Sequence, residues 1–162
     1  MVLVGAVCVD RYEAHLRAGG RIHPHHERPA EGQRYVAASA RGILPQAYIS
    51  RIEAADACAA ADKRLCSRTE WSAACRGTRP DGCNRGKSHL LPILFPEAGW
   101  SFSYERHFNS PAPSLEPGYL ARTGEHDACV SDAGVHDMVG NLHEWVSDPV
   151  TRAFIHAFAQ EM

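Results

Sequence analysis

Six prolines, at positions 80, 92, 96, 111, 113 and 117, punctuate the sequence between Thr78 and Ala133. Each proline removes a backbone donor and blocks helix continuation, so no window here is long enough for an ordinary helix. The stretch is not a solvated linker, because Leu91, Ile93, Leu94, Phe95, Trp100, Phe102, Tyr104 and Phe108 bring apolar surface that has to be buried. A long irregular segment inside a domain is usually functional, or is held by cross-links or ions. Regular elements are therefore expected to be a minority of the fold.

With 162 residues the chain can bury one substantial core, and a single domain is expected. Seventeen basic residues against 19 acidic ones leave a formal charge of -2 with no run of one sign. That balance argues against a nucleic-acid groove or a polybasic membrane patch. No apolar window approaches the roughly 20 residues of a membrane-spanning helix.

Six cysteines, at 8, 58, 66, 75, 83 and 129, are many for a cytosolic domain and point to an extracytoplasmic, periplasmic or secreted setting. Buried free thiols are the alternative. Zinc is disfavoured, because Cys58, Cys66, Cys75 and Cys83 lack the short spacing of a tetrahedral knuckle. The opening M-V-L-V-G-A-V-C-V-D lacks the basic residues of a secretion signal, and its apolar run stops at Asp10. Residues 2 to 10 read instead as a buried strand leading into Asp10-Arg11-Tyr12-Glu13, followed by some thirty residues of irregular connection.

Two helix starts are written plainly. Ser50-Arg51-Ile52-Glu53 and Ser67-Arg68-Thr69-Glu70 both have the form of a capping box, in which serine and glutamate satisfy each other's free backbone N–H. The first opens an alanine-rich helix ending near Lys63; the second opens W-S-A-A-C-R and ends at Gly77.

Chemistry concentrates between Val135 and Asp148, in V-H-D-M-V-G-N-L-H-E-W-V-S-D. Asp137 and Glu144 stand in an apolar setting, where an uncompensated carboxylate is strongly penalised. Gly140-Asn141 between them permits a turn whose main-chain carbonyls face the same point as the two side chains. Such an all-oxygen cage suits Ca2+; the alternative is that Asp137 caps a turn and Glu144 pairs with an arginine. Other motifs fail. Arg85-Gly86-Lys87-Ser88 lacks the leading glycine of a phosphate loop, having Asp81 there, and His143-Glu144-Trp145-Val146-Ser147 lacks the second histidine of a zinc protease. His23, His25, His26 and Glu27, around Pro24, read as a solvated tract.

Several segments taken together resemble one family. They are Val9-Asp10-Arg11-Tyr12-Glu13; Ser50, Glu53, Ala54 and Cys58; Lys63-Arg64-Leu65-Cys66-Ser67 with Glu70-Trp71 and Ala74-Cys75-Arg76-Gly77; and Gly134-Val135, Asp137 to Asn141, and Glu144 to Asp148. In order and spacing they resemble the formylglycine-generating enzyme (sulfatase-modifying factor) family from about residue 7 to 148. The resemblance implies an irregular α+β fold with little regular secondary structure, related to the C-type lectin fold and stabilised by calcium. It implies a calcium site formed by the side chains of Asp137 and Glu144 and the main-chain oxygens of Gly140 and Leu142. A second calcium site would begin at Asn84.

Active members oxidise a cysteine of a sulfatase, within C-x-P-x-R, using O2 and a copper ion held by two cysteines. Those cysteines follow the segment matching Glu144-Trp145, beyond an R-G-G-S-W stretch and before a closing G-F-R. This sequence continues V-T-R-A-F-I-H-A-F-A-Q-E-M, with no cysteine after Cys129. By the resemblance, residues 1–149 are expected to form a C-terminally truncated domain, with 150–162 as a non-matching tail and copper not bound. Cys58 and Cys75 match half-cystines whose partners would lie in the missing part, and a Cys83–Cys129 bridge is one pairing considered for the remainder.

Three readings are carried forward. One is a sulfatase-modifying-factor-like domain without oxidase activity, with a peptide or a protein such as a sulfatase as possible partner. Another is an extracytoplasmic lectin-like module that binds a peptide or glycan. The third is that residues from Val150 onward follow an accident of reading frame.

Overall fold

The computed structural model describes residues 1–84, 112–115 and 117–149. The apolar residues between Leu91 and Phe108, the Arg85–Ser88 motif and residues 150–162 lie outside the described residues.

The first segment is a hairpin where one strand was expected. Gly5, at a φ of 59° that a larger residue resists, turns the chain between β1 (Val2–Val4) and β2 (Val7–Val9). The antiparallel register pairs Val2 with Val9 and Val4 with Val7. Val4 and Val9 are buried while Leu3 is 69% exposed, so only one face of the hairpin meets the core.

The supposed irregular connection also contains a sheet. β3 (Ala14–Ala18) lies between β4 (Arg21–Ile22) and β5 (Val36–Ser39), antiparallel to both. These strands are short and rich in Ala, His and Arg, so the period-two signal that marks a strand is faint. In the tract beyond β4, Pro24 and Glu27 are exposed as expected, while His23, His25 and His26 are half-buried. His23 bonds to the Glu27 carbonyl at 3.0 Å and His25 to that of Ser114 at 3.1 Å.

Both capping boxes form. α1 (Arg51–Ala59) begins at Ser50, whose hydroxyl accepts from Glu53 N–H while Glu53 returns to Ser50 N–H. α2 (Arg68–Cys75) repeats this with Ser67 and Glu70. α1 stops at Ala59, short of the expected Lys63, because Ala61 and Asp62 tighten into turns whose N–H groups return to the Cys58 and Ala59 carbonyls. α2 ends at Gly77, as its sequence implies, with φ at 81°. A turn of 3-10 helix, Pro80–Gly82, and a four-residue helix α3, Ala112–Leu115, are the other helical pieces among the described residues.

Two clusters form the core. Val4, Val9, Ala74, Val135 and Met138 join β1, β2 and α2 to the segment after Ala133. Leu16, Tyr35, Ala37 and Ala57 pack α1 on the three-stranded sheet. Residues 145–148 lie across both helix starts. Trp145 donates its indole N–H to the Ile49 carbonyl at 2.9 Å, Ser147 N–H reaches the Cys66 carbonyl at 2.8 Å, and the Asp148 carboxylate accepts from Arg68 N–H at 2.6 Å. An acidic group there also suits the positive end of α2.

Of the six cysteines, Cys83 and Cys129 form a disulfide, and Cys8, Cys58, Cys66 and Cys75 are free thiols. The bridge spans 46 residues. Closing a loop of that size disfavours the unfolded chain by about 4 kcal/mol on chain-entropy grounds. The architecture is thus α+β with little regular structure, arranged around loops held by a cross-link and by polar contacts.

Candidate functional site

The segment following β2 delivers the first acidic group. Arg11 accepts at its carbonyl from His136 N–H at 2.9 Å, Tyr12 stacks on the His136 ring at a centroid distance of 5.1 Å, and Ser39 bonds both the N–H and the carbonyl of Tyr12. These contacts set Glu13, which is 8% exposed, against the Val135–Asp148 segment. One Glu13 oxygen accepts from the Asn141 side chain and the carboxylate also accepts from Leu142 N–H; the other oxygen is buried without a partner.

Asp137 is 3% exposed and takes a φ of 62°, in the left-handed region that Asp tolerates better than most residues. Its N–H donates to the Cys129 carbonyl at 3.1 Å, and its Oδ2 accepts from Gly124 N–H at 2.7 Å. Gly124 is itself left-handed and so close to Tyr12 that a Cβ would lie 2.8 Å from the ring. No larger residue could present that N–H from the same place.

Gly140 and Asn141 turn the chain through φ values of 80° and 57°. Asn141 is the hub of this turn. Its Oδ1 accepts from Asn84 Nδ2 and from Ala121 N–H, each at 2.9 Å, while its Nδ2 donates to Glu13 and to the Ala121 carbonyl at 3.3 Å. The amide is thereby fully satisfied, and the Ala121 N–H fixes which end is oxygen. Beyond it Glu144, partly buried, accepts from the indole N–H of Trp71 through Oε2. Among the described residues no arginine pairs with Glu144, so the ion-pair alternative for that residue is replaced by Trp71.

The electrostatics of these acids are those of a site short of positive charge. Burial raises Glu13 well above the usual carboxylate range; neighbouring Glu144 and, more weakly, Asp137 push the same way, against the bonds from Asn141 and Leu142. Asp137 is raised by burial, which outweighs the Gly124 N–H and the nearby His136 and His126. Glu144 is pushed up to about 7, by burial first and by Asp137 in addition, despite the Trp71 hydrogen bond. Glu13 and Glu144 are each pushed further by a neighbouring acid, and a cation beside them would ease that repulsion.

Among the described residues no three His, Cys, Asp or Glu side chains converge on one metal-sized point. A cation here would therefore need main-chain oxygens beside Asp137 and Glu144. Two of the three acids, Glu13 and Glu144, border a cavity of about 210 Å³, with Tyr12, Trp71 and Trp145 also in its wall.

A family model described as the sulfatase-modifying factor enzyme 1-like domain matches residues 5–155. The chain belongs to the formylglycine-generating enzyme (sulfatase-modifying factor) family. No curated protein and no solved structure matches it. The matched span holds β2, both capped helices and every acid described above.

Of the sequence-predicted residues, Asp137, Gly140, Leu142 and Glu144 lie on one segment that bends at residues 139–142. Asn84 is placed next to that turn, its carbonyl accepting from Asn141 N–H at 2.8 Å and its amide bonding Asn141 Oδ1. The residues that would complete a second site with Asn84 lie outside the described residues. Sequence reasoning missed Glu13 as a buried acid, Trp71 and Gly124 as donors, and Asn141 as a hub. The pattern Asp10-Arg11-Tyr12-Glu13 carries no periodicity that would distinguish an inward carboxylate from a surface one.

Proposed function

We propose that this chain is a calcium-stabilised formylglycine-generating-enzyme-like domain that does not itself perform the copper-dependent oxidation. The observation that carries the calcium reading is the buried acidic group at the turn: Glu13 with an unpartnered oxygen, and Asp137 and Glu144 both raised by burial. The residues fit the ion. Gly124 and Trp71 each engage one oxygen of Asp137 and Glu144, and hard carboxylate and carbonyl oxygens are the donor set Ca2+ takes. Asp137 and Glu144 would hold it with the carbonyls of Gly140 and Leu142. When bound, the ion supplies positive charge where the fold concentrates negative charge, and so fixes the turn.

Copper is assigned no place. Cys83 and Cys129 are joined to each other, and none of Cys8, Cys58, Cys66 and Cys75 stands at a position matching the copper cysteines of the resemblance. The disulfide is consistent with an extracytoplasmic protein. Residues 1–149 would form the family-like domain, related to the C-type lectin fold, with a peptide such as a sulfatase segment as the class of partner. A lectin-like peptide- or glycan-binding role is the second reading. The cavity walled by Tyr12, Trp71 and Trp145 favours it, because aromatic faces suit both ligands.

Thermal melts with calcium and with chelator test the ion site. Calcium is expected to raise Tm of the native chain and to raise that of Glu144→Gln less, because a ligand stabilises the form that binds it. Equal melting with and without calcium in the native protein would remove the site. Incubation with a C-x-P-x-R peptide, copper and O2 tests the rest; formylglycine in the product would refute the loss of oxidase activity.

A further inference from the structure

The two halves of the disulfide hold the candidate cation turn at two points, its start and its middle. On one side Cys83 is followed by Asn84, whose carbonyl accepts from Asn141 N–H at 2.8 Å. In a trans peptide the carbonyl points opposite to the N–H it shares a plane with, so this bond aims the Gly140 carbonyl away from Asn84. On the other side the Cys129 carbonyl accepts from Asp137 N–H at 3.1 Å, which sets the backbone from which the Asp137 carboxylate projects. The two supporting strands of chain are also pressed together. A Cβ on Gly82 would lie 2.7 Å from that of Ala128, so these neighbours of the bridge leave no room between them.

We propose that the Cys83–Cys129 disulfide is a clamp that positions the cation turn, so that cation affinity is set by the oxidation state of this bond. The proposal rests on the reading of Asp137 and Glu144 as cation ligands. With the bond intact, Asn84 and Cys129 move as one unit and the span between Asp137 and Asn141 is fixed at both ends. Reduction by a dithiol breaks the Sγ–Sγ bond and gives two thiols; the dithiol supplies two electrons and two protons and becomes a disulfide. Asn84 and Cys129 are then joined covalently only through the 46-residue loop, and the Gly140 carbonyl is held less firmly in its direction. Because the other four cysteines are free thiols, the dithiol has no second disulfide to act on.

The test compares the oxidised chain, the dithiol-reduced chain, and the Cys83→Ala, Cys129→Ala double variant. In chelator, amide hydrogen exchange is followed at Asn141 and Asp137 and, as internal reference, at Leu16 and Ala37 in the sheet. A clamp predicts that Asn141 and Asp137 lose about tenfold more protection than the reference amides, the equivalent of roughly one hydrogen bond. Calcium titration is then expected to show about tenfold weaker binding without the disulfide, by the same reasoning. Equal loss at all four amides, in both the reduced chain and the variant, would overturn the clamp whatever the calcium result. Oxidised protein that binds no calcium would overturn the coupling to cation affinity and the ion reading together, while the exchange data would still decide whether the turn is clamped. Calcium affinity unchanged by reduction would overturn the coupling alone.

Discussion

Replacing Asn141 by alanine should damage this domain more than a change at a partly exposed turn ordinarily does. The side chain makes four hydrogen bonds, to Asn84, to Glu13 and twice to the Ala121 backbone. At about 1 kcal/mol net for each, reduced because partners in one network are not additive, the loss is about 3 kcal/mol. A further cost of about 1 kcal/mol comes from forcing alanine to the left-handed backbone that Asn141 adopts. The expected total, about 4 kcal/mol, is a large part of the roughly 5–15 kcal/mol that holds a domain folded. Urea unfolding followed by tryptophan fluorescence measures it, as a midpoint lowered by roughly 2 M if the slope is typical for this size. Two companion variants separate the contributions. Asn141→Gly relieves the backbone cost and should recover about 1 kcal/mol relative to alanine, provided the added freedom of the unfolded chain does not offset it. Asn141→Asp keeps the acceptor but turns an oxygen toward Glu13 and the Ala121 carbonyl, and should be no more stable than alanine at neutral pH. A loss below about 1 kcal/mol for Asn141→Ala would refute the view of this amide as the hub of the site.

In chelator, stability should fall as pH rises from about 4.5 to about 7. Glu144 binds its proton more tightly folded than unfolded, so its contribution is fully present below 4.5 and is lost as pH passes its folded value of about 7, at most about 3 kcal/mol. Melting curves across that range should flatten in Glu144→Gln. The Gly77→Ala chain should lose about 2 kcal/mol in denaturant titration, because a Cβ there would lie 2.1 Å from Asp132 Oδ1 at a φ of 81°. Ser50→Ala and Ser67→Ala should each cost about 1 kcal/mol by the same assay. Their effects should add in the double variant, since the two capping boxes share no hydrogen bond.

What could be read directly from the residues was local. The two capping boxes needed only four consecutive positions each, and both formed because serine and glutamate at that spacing satisfy donors within the same turn. Gly140-Asn141 was legible as a turn for the same reason: its left-handed angles are a property of those residue types. The hairpin at Gly5 was read as one strand because a single glycine among valines does not by itself disclose a reversal. The sheet formed by β3, β4 and β5 was missed because Arg17, Arg21 and the alanines offer little hydrophobic alternation. Likewise, nothing local to Glu13 says that it meets Asn141, 128 positions later. Family likeness located the acidic turn, and only packing disclosed its third acid and the indole and backbone donors around it.

The strap over the two helix starts has a consequence for how the molecule forms. Trp145 and Asp148 reach back 96 and 80 positions to complete the surroundings of α1 and α2. During synthesis both helices therefore leave the ribosome long before the residues that cover their beginnings. Pairings this distant in sequence are slow to form and leave apolar surface uncovered meanwhile. Nascent chains that have not yet emerged as far as residue 148 should be prone to self-association, and the domain should become resistant to protease late in its own translation.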